Sequence, residues 1–178
     1  IIGMNARRYH GLLVASLKPP VDRFLVLSQI HEDVITDGKE YHLAAFKTHD
    51  FVAHGEHYLE VFFHEFIPEF RYRIGSIFIS KKICLRYMKN QVAVVYKIKN
   101  HGLKSTIRLI PLVNFRNYHY LSSGKYMSFA SEIRGRRMEI TPLKMSERIL
   151  IECSDGIAQL IDGCYFYNMD YPYEHERG

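Results

Sequence analysis

Ile77-Phe78-Ile79-Ser80-Lys81-Lys82-Ile83-Cys84-Leu85, then a break at Lys89-Asn90, then Val92-Ala93-Val94-Val95-Tyr96-Lys97-Ile98 decide the fold class of this chain. Ile77, Ile79, Ile83, Leu85 and Tyr87 share one parity; Val92, Val94, Tyr96 and Ile98 share another beyond the turn. Successive side chains of an extended backbone point to opposite faces, so this pattern reads as two strands of a hairpin, each with one apolar face.

The same period of two runs outward in both directions. Toward the N-terminus, Tyr58 to Phe66 alternates, with Leu59, Val61 and Phe63 on one face, until Pro68 interrupts it. Phe24 to Ile35 is a long strand ending at Asp37-Gly38, a hairpin-turn dipeptide, and Glu40 to Phe46 returns antiparallel to it. Leu12 to Leu17 is a buried strand closed by Lys18-Pro19-Pro20. Toward the C-terminus, Thr106 to Phe115 is a strand, Met138 to Ile140 and Ile149 to Ile151 are hairpin arms, and Cys164 to Asn168 is a last short strand. Lys47 to His57 is polar and reads as a loop. No stretch of eleven residues carries a helical stripe with caps. Many strands with turns and no intervening helices indicate an all-β antiparallel sandwich or barrel. The long strands favour large curved sheets.

At 178 residues, the chain is expected to form one domain, 1–178, burying about 70% of its unfolded surface. The net charge of +5 is modest and scattered; only Arg134-Gly135-Arg136-Arg137 forms a short basic block, read as a hairpin rim. Nucleic-acid binders concentrate charge on one face, so no nucleic-acid partner is assigned. No apolar run approaches the roughly 20 residues of a membrane helix, so no membrane is assigned either. Three separated cysteines, Cys84, Cys153 and Cys164, fit a reducing cytoplasm, and Cys84 and Cys153 are expected to be buried in strands. The chain begins Ile1-Ile2-Gly3 and ends Glu176-Arg177-Gly178, and reads as a piece of something longer.

Chemistry concentrates at Asn5-Ala6-Arg7-Arg8-Tyr9-His10-Gly11, directly before the first apolar run. A glycine there supplies backbone freedom where loop becomes strand, so the polar cluster sits at a strand mouth. Arg7 and Arg8 offer planar donor forks suited to carboxylates, phosphates or vicinal hydroxyls. Glu32, Asp33, Glu56, Glu60, Glu65, Glu69, Glu174 and Glu176 are the available acids, each explicable as a strand-edge or loop carboxylate. Glu60 stands out beside Tyr58 and Phe62, where burial would raise its pKa unless a cation such as Arg7 or Arg8 paired with it. His49, His54 and His57 with Glu56 could gather in a loop. Nothing supplies a fourth ligand, and no H-E-x-x-H occurs, so no metal or other cofactor is assigned. Phosphate-cradling G-x-G-x-x-G and nucleophile-elbow G-x-S-x-G patterns are absent. With 13 tyrosines and no tryptophan, a sugar-stacking platform would be built from tyrosine, such as Tyr165, Tyr167, Tyr171 and Tyr173 with Phe166.

Asn5-x-Arg7-Arg8-Tyr9-His10-Gly11-Leu12-Leu13-Val14-Ala15 followed by Pro19-Pro20-Val21 closely resembles the opening of bacterial and archaeal-type glycogen debranching enzymes. The later segments agree in order: Leu27-Ser28-x-Ile30-x-Glu32, Tyr58-Leu59-Glu60-x-Phe62, Pro68-x-Phe70-x-Tyr72, Val92-x-Val94-x-Tyr96, Pro111-Leu112-Val113-x-x-Arg116-x-Tyr118-His119 and Tyr173-Glu174-x-Glu176-Arg177-Gly178. Ala6 stands where the family pattern usually has threonine.

The resemblance implies the N-terminal domain of an amylo-alpha-1,6-glucosidase-type enzyme. Its fold would be a large antiparallel β-sandwich of the supersandwich kind, as in galactose mutarotase and glucoamylase N-terminal domains. It implies a partner (α/α) toroid in the same polypeptide, outside these residues and carrying the catalytic carboxylates, and a glycogen or branched maltooligosaccharide substrate. No catalytic residue is expected in this chain. Asn5, Arg7, Arg8, Tyr9, His10, Glu60, Arg116 and His119 are the candidates for the domain interface or the border of a glucan cleft. A free-standing α-glucan-binding module is the alternative. A small sugar-converting enzyme using His10 or His119 with Glu60 is a third reading.

Overall fold

A computed structural model describes residues 5–123, 127–161 and 168–175. It is built of antiparallel strands, with one short 3-10 turn and a single helical turn among the described residues. The chain divides into two compact units, 1–119 with 169–178, and 120–168.

The first unit is organised by β2 (Val21–Thr36), which pairs with β1 (Leu13–Lys18), β3 (Lys39–His42) and β10 (Ser105–Asn117) in a four-stranded antiparallel sheet. The β2–β3 turn is the expected hairpin: Asp37 and Gly38 both have positive φ, 50° and 67°, the left-handed pair that a tight two-residue loop requires. A second four-stranded sheet runs in order β6 (Leu59–Phe63), β7 (Glu69–Ile74), β8 (Ile77–Leu85), β9 (Val92–Asn100). Its β8–β9 pairing matches the expected hairpin, with Ile83 opposite Val94 and Ile79 opposite Ile98. Val34 from the first sheet, Leu43, and Phe70, Tyr72, Ile74, Ile77 and Ile79 from the second form one buried cluster, with Tyr41, Ile107 and Tyr96 packed against it. Two sheets share one core. This is an all-β antiparallel sandwich.

Lys81 falls at an inward position of β8, and β2 meets it with a carboxylate. Glu32 Oε1 accepts hydrogen bonds from Lys81 Nζ at 2.5 Å and the Tyr96 hydroxyl at 2.6 Å, with the Lys81 and Glu32 side chains 12% and 4% exposed. Asp33, on the other face of β2, accepts from Arg108 Nε at 2.9 Å and pairs with His42 at 2.7 Å. Neither carboxylate is therefore the edge or loop group expected from sequence. Both lie in the longest strand and are buried because each has cationic partners in reach.

Lys47 to His57 is not a plain loop. β4 (Ala45–Lys47) and β5 (Val52–His54) pair as a small sheet, followed by a 3-10 turn over Gly55–Tyr58. Glu40 to Phe46 is thus two elements, since β3 ends at His42 and Phe46 belongs to β4. Ala44, Phe46 and Ala53 are buried together, with Met169 packed against them. The segment is too short to show a period, but its few apolar residues close over β2: Phe46 stacks on His31, ring centroids 4.6 Å apart.

Three further expectations are corrected. A bulge between Leu59 and Val61 rotates β6, so Leu59 packs into the core while Val61 is exposed. Leu85 and Tyr87 are exposed because the sheet ends there: β8 stops at Leu85. Cys84 and Cys153 are exposed free thiols rather than buried ones; Cys84 takes the outward parity of β8, and Cys153 follows the last strand.

The second unit holds β11 (Phe129–Arg134), β12 (Arg137–Pro142) and β13 (Ile149–Glu152), antiparallel in that order, with Ile140 and Ile149 buried. The β12–β13 arms are those expected. The basic block is the tip of the β11–β12 hairpin, with Gly135 at φ 62° and Arg134 paired to Glu132 at 2.9 Å. The short strand expected over Cys164 to Asn168, and Tyr165, Phe166 and Tyr167 with it, fall largely or wholly outside the described residues.

Candidate functional site at the strand mouth

The loop ahead of β1 is closed on one carbonyl of β2. Asn5 Nδ2 and the Leu12 backbone N–H both donate to the Ser28 carbonyl, at 3.2 and 3.1 Å. Between these anchors the His10 N–H donates to the Arg7 carbonyl at 3.0 Å, a tight turn. Gly11 is required by close approach: a Cβ there would lie 2.0 Å from Leu25 Cδ1 and 3.1 Å from the Leu27 carbonyl oxygen.

His10 Nδ1 accepts the Ala6 backbone N–H at 3.2 Å, leaving the ring proton on Nε2. Burial, with the Arg7 cation adding to it, holds the His10 pKa below its ordinary value. His10 is a neutral brace of the turn.

Arg116, 5% exposed on β10, lies beneath the loop and donates to the backbone carbonyls of Arg8 and Tyr118. Arg8 in turn points to the C-terminal segment. Its Nε donates to Glu174 Oε2 at 2.8 Å, its Nη2 approaches the same oxygen at 2.6 Å, and its Nη1 donates to the His119 carbonyl at 3.4 Å. The hydrogen bond from Arg8 holds the Glu174 carboxyl below the usual carboxylate range, against the opposing effect of burial.

Aromatic rings frame this pair. Tyr9 meets Tyr118 and His119 edge-on at 5.3 and 5.8 Å, and the Arg7 guanidinium lies over the Tyr173 ring at 5.4 Å. Tyr173 belongs to the helical turn α1 (Pro172–His175), and its N–H donates to the Ala6 carbonyl at 3.3 Å.

Seven of the eight candidates thus gather at one place. Asn5, His10 and Arg116 are its supports. Arg7, Arg8, Tyr9 and His119 are its surface. Glu60 is elsewhere: it is exposed on β6 and pairs with Arg73 at 3.4 Å rather than with Arg7 or Arg8. An acid–base pair of Glu60 with His10 or His119 is not assembled. Glu174 and Tyr173 complete the site across more than 160 residues of sequence. Only the order of the motifs, not their spacing, hinted at their meeting.

Among the described residues the carboxylate at the site, Glu174, is bound to Arg8, and the half-buried His10 accepts a hydrogen bond from the Ala6 backbone N–H. Glycoside hydrolysis needs an acid and a base flanking one bond. The arrangement does offer a guanidinium with an aromatic beside it, a surface suited to hydroxyl-rich or peptide ligands.

An antiparallel β-sandwich with an arginine- and tyrosine-bearing strand mouth defines an all-β domain. A family model described as the glycogen debranching enzyme N terminal matches residues 1–178, the whole chain, and the chain belongs to that family. No curated protein and no solved structure matches the chain.

Proposed function

We propose that this chain serves as the accessory domain of a cytoplasmic enzyme that hydrolyses alpha-1,6 branch linkages in glycogen-like glucans. It packs against and shapes a catalytic (α/α) toroid of the same polypeptide, with Arg7, Arg8, Tyr9 and His119 at the docking face or bordering the glucan cleft. The observation that carries this reading is the strand mouth itself: a buried arginine and a loop closed on Ser28 hold a charged, aromatic surface in place. Membership of the glycogen debranching enzyme N-terminal family supports this reaction class. The exposed thiols of Cys84 and Cys153 suit a reducing compartment, and among the described residues no helix is long and apolar enough to cross a membrane.

Incubation of the purified chain with a branched dextrin tests the division of labour. No glucose release above buffer is expected from the chain, against steady release by the full-length enzyme. Release by the chain alone would overturn the reading.

A stand-alone α-glucan-binding module is the second reading, favoured by the 37% and 48% exposure of Tyr9 and Tyr173 beside Arg7. Calorimetric titration with glycogen and maltooligosaccharides separates the two: millimolar or tighter binding supports the module, and silence supports the docking surface.

A further inference from the structure

The 3-10 turn after β5 brings together side chains that neither the fold nor the strand mouth uses. His54 ends β5, and Glu56 and His57 lie on the turn; one donor atom from each of the three falls within 4.8 Å of the others. The two imidazoles stack almost parallel, centroids 5.1 Å apart and planes 6° apart. His54 Nδ1 and Glu56 Oε1 are hydrogen-bonded at 2.7 Å.

We infer that His54, Glu56 and His57 form a surface site for a divalent transition-metal ion, with zinc as the natural occupant. Two imidazole nitrogens and one carboxylate oxygen are borderline-soft donors that suit Zn²⁺ over Mg²⁺ or Ca²⁺, which require mostly oxygen. Three protein ligands leave the fourth tetrahedral position to water. The ion would take the place of the hydrogen bond between His54 and Glu56. With metal–ligand bonds of about 2.0–2.2 Å, tetrahedral donors lie about 3.4 Å apart, so this nitrogen and oxygen would open from 2.7 Å.

The backbone beneath the site is held. Gly55 is buried, its N–H donates to the Ala44 carbonyl at 3.2 Å, and a Cβ there would fall 2.1 Å from the Leu43 carbonyl oxygen. Bound ligands therefore lose little backbone freedom.

Two neighbouring arrangements serve as controls. His49, which the sequence grouped with these residues, instead pairs with Asp50 at 2.9 Å. Asp33, Glu40 and His42 also lie close together, but the Arg108 guanidinium already sits on both carboxylates.

Equilibrium dialysis of the chain against ZnCl₂ at pH 7.5, followed by thermal melting, is the test. One equivalent of zinc is expected to bind with a micromolar Kd and raise Tm, with Mg²⁺ giving neither. His57→Ala and Glu56→Gln should each weaken binding about 10-fold or more, while His49→Ala and His42→Ala leave it unchanged. Absence of binding at 100-fold molar excess of zinc would overturn the inference. Binding that survives His57→Ala, or that is lost with His42→Ala, would do the same. Circular dichroism of each variant identifies any that fails to fold, and His54→Gln then replaces it.

Discussion

Replacing Glu32 with alanine is expected to destabilise the fold by about 3–5 kcal/mol, the usual cost of leaving a buried ionic partner unpaired. The carboxylate lies between the two sheets, its Oε1 shared by Lys81 and Tyr96. Removing it strands an ammonium group, whose side chain is 12% exposed, among Leu43, Tyr72, Ile79 and Ile107. Urea unfolding measures the loss directly. The triple change Glu32→Leu, Lys81→Met and Tyr96→Phe removes every member of the network and should recover most of the stability, because no charge is then left buried. A Glu32→Ala variant within about 0.5 kcal/mol of the parent, well below the expected loss, would show that the pair is solvated instead.

Stability is also expected to fall as the solution is acidified from about pH 6.5 to pH 4. His31 is 4% exposed, stacks on Phe46 and shares a hydrogen bond with Gln29 at 3.2 Å. Burial is the main reason that its pKa drops to about 4, from 6.5 in an unfolded chain. Between those values the unfolded chain binds the proton and the folded chain does not, so protonation pulls the equilibrium toward unfolding. The contribution of a neutral His31 is complete above pH 6.5 and is lost as pH falls toward 4, an effect of about 3 kcal/mol. Glu69 and Glu174, whose pKa values are also lowered from 4.5, add their own loss only at the acid end of this range, as the unfolded carboxylates begin to protonate. Urea unfolding at half-unit steps from pH 7.5 to 4.5 should show the slope, and His31→Gln should flatten it whatever its effect at pH 7.5. An unchanged slope in the variant would refute the assignment.

Much of the sandwich was legible because its strands are long enough to show their period. The β8–β9 hairpin and the Asp37-Gly38 turn could be read from parity and turn chemistry, and the structure agrees. What could not be read depends on partners distant in sequence. Glu32 and Asp33 look like surface acids until Lys81 and Arg108, 49 and 75 residues away, arrive to neutralise them. β4 and β5 have three residues each, too few for a period to declare itself. The bulge that turns Val61 outward leaves no mark in the residue types.

The strand mouth was half legible. Asn5 to Gly11 announced a polar cluster before a strand, and the family motif added Arg116, Tyr118 and His119. Burial divides that list: Asn5 and Arg116 face inward as supports, which only the fold could reveal. Glu60 failed as a member because its strand belongs to the other sheet, where Arg73 is the cation within reach.

Arg8→Ala in the full-length enzyme, compared with Arg73→Ala on the other sheet, probes the proposed docking surface most directly. Glucose release from a branched dextrin and the melting of the whole enzyme are the two readouts. Arg8→Ala is expected to reduce activity about 10-fold or more, an effect of misplacement rather than of lost chemistry, or to lower the melting temperature; Arg73→Ala should leave both unchanged. Wild-type activity and melting in the Arg8→Ala enzyme would contradict a strand mouth that meets the catalytic machinery.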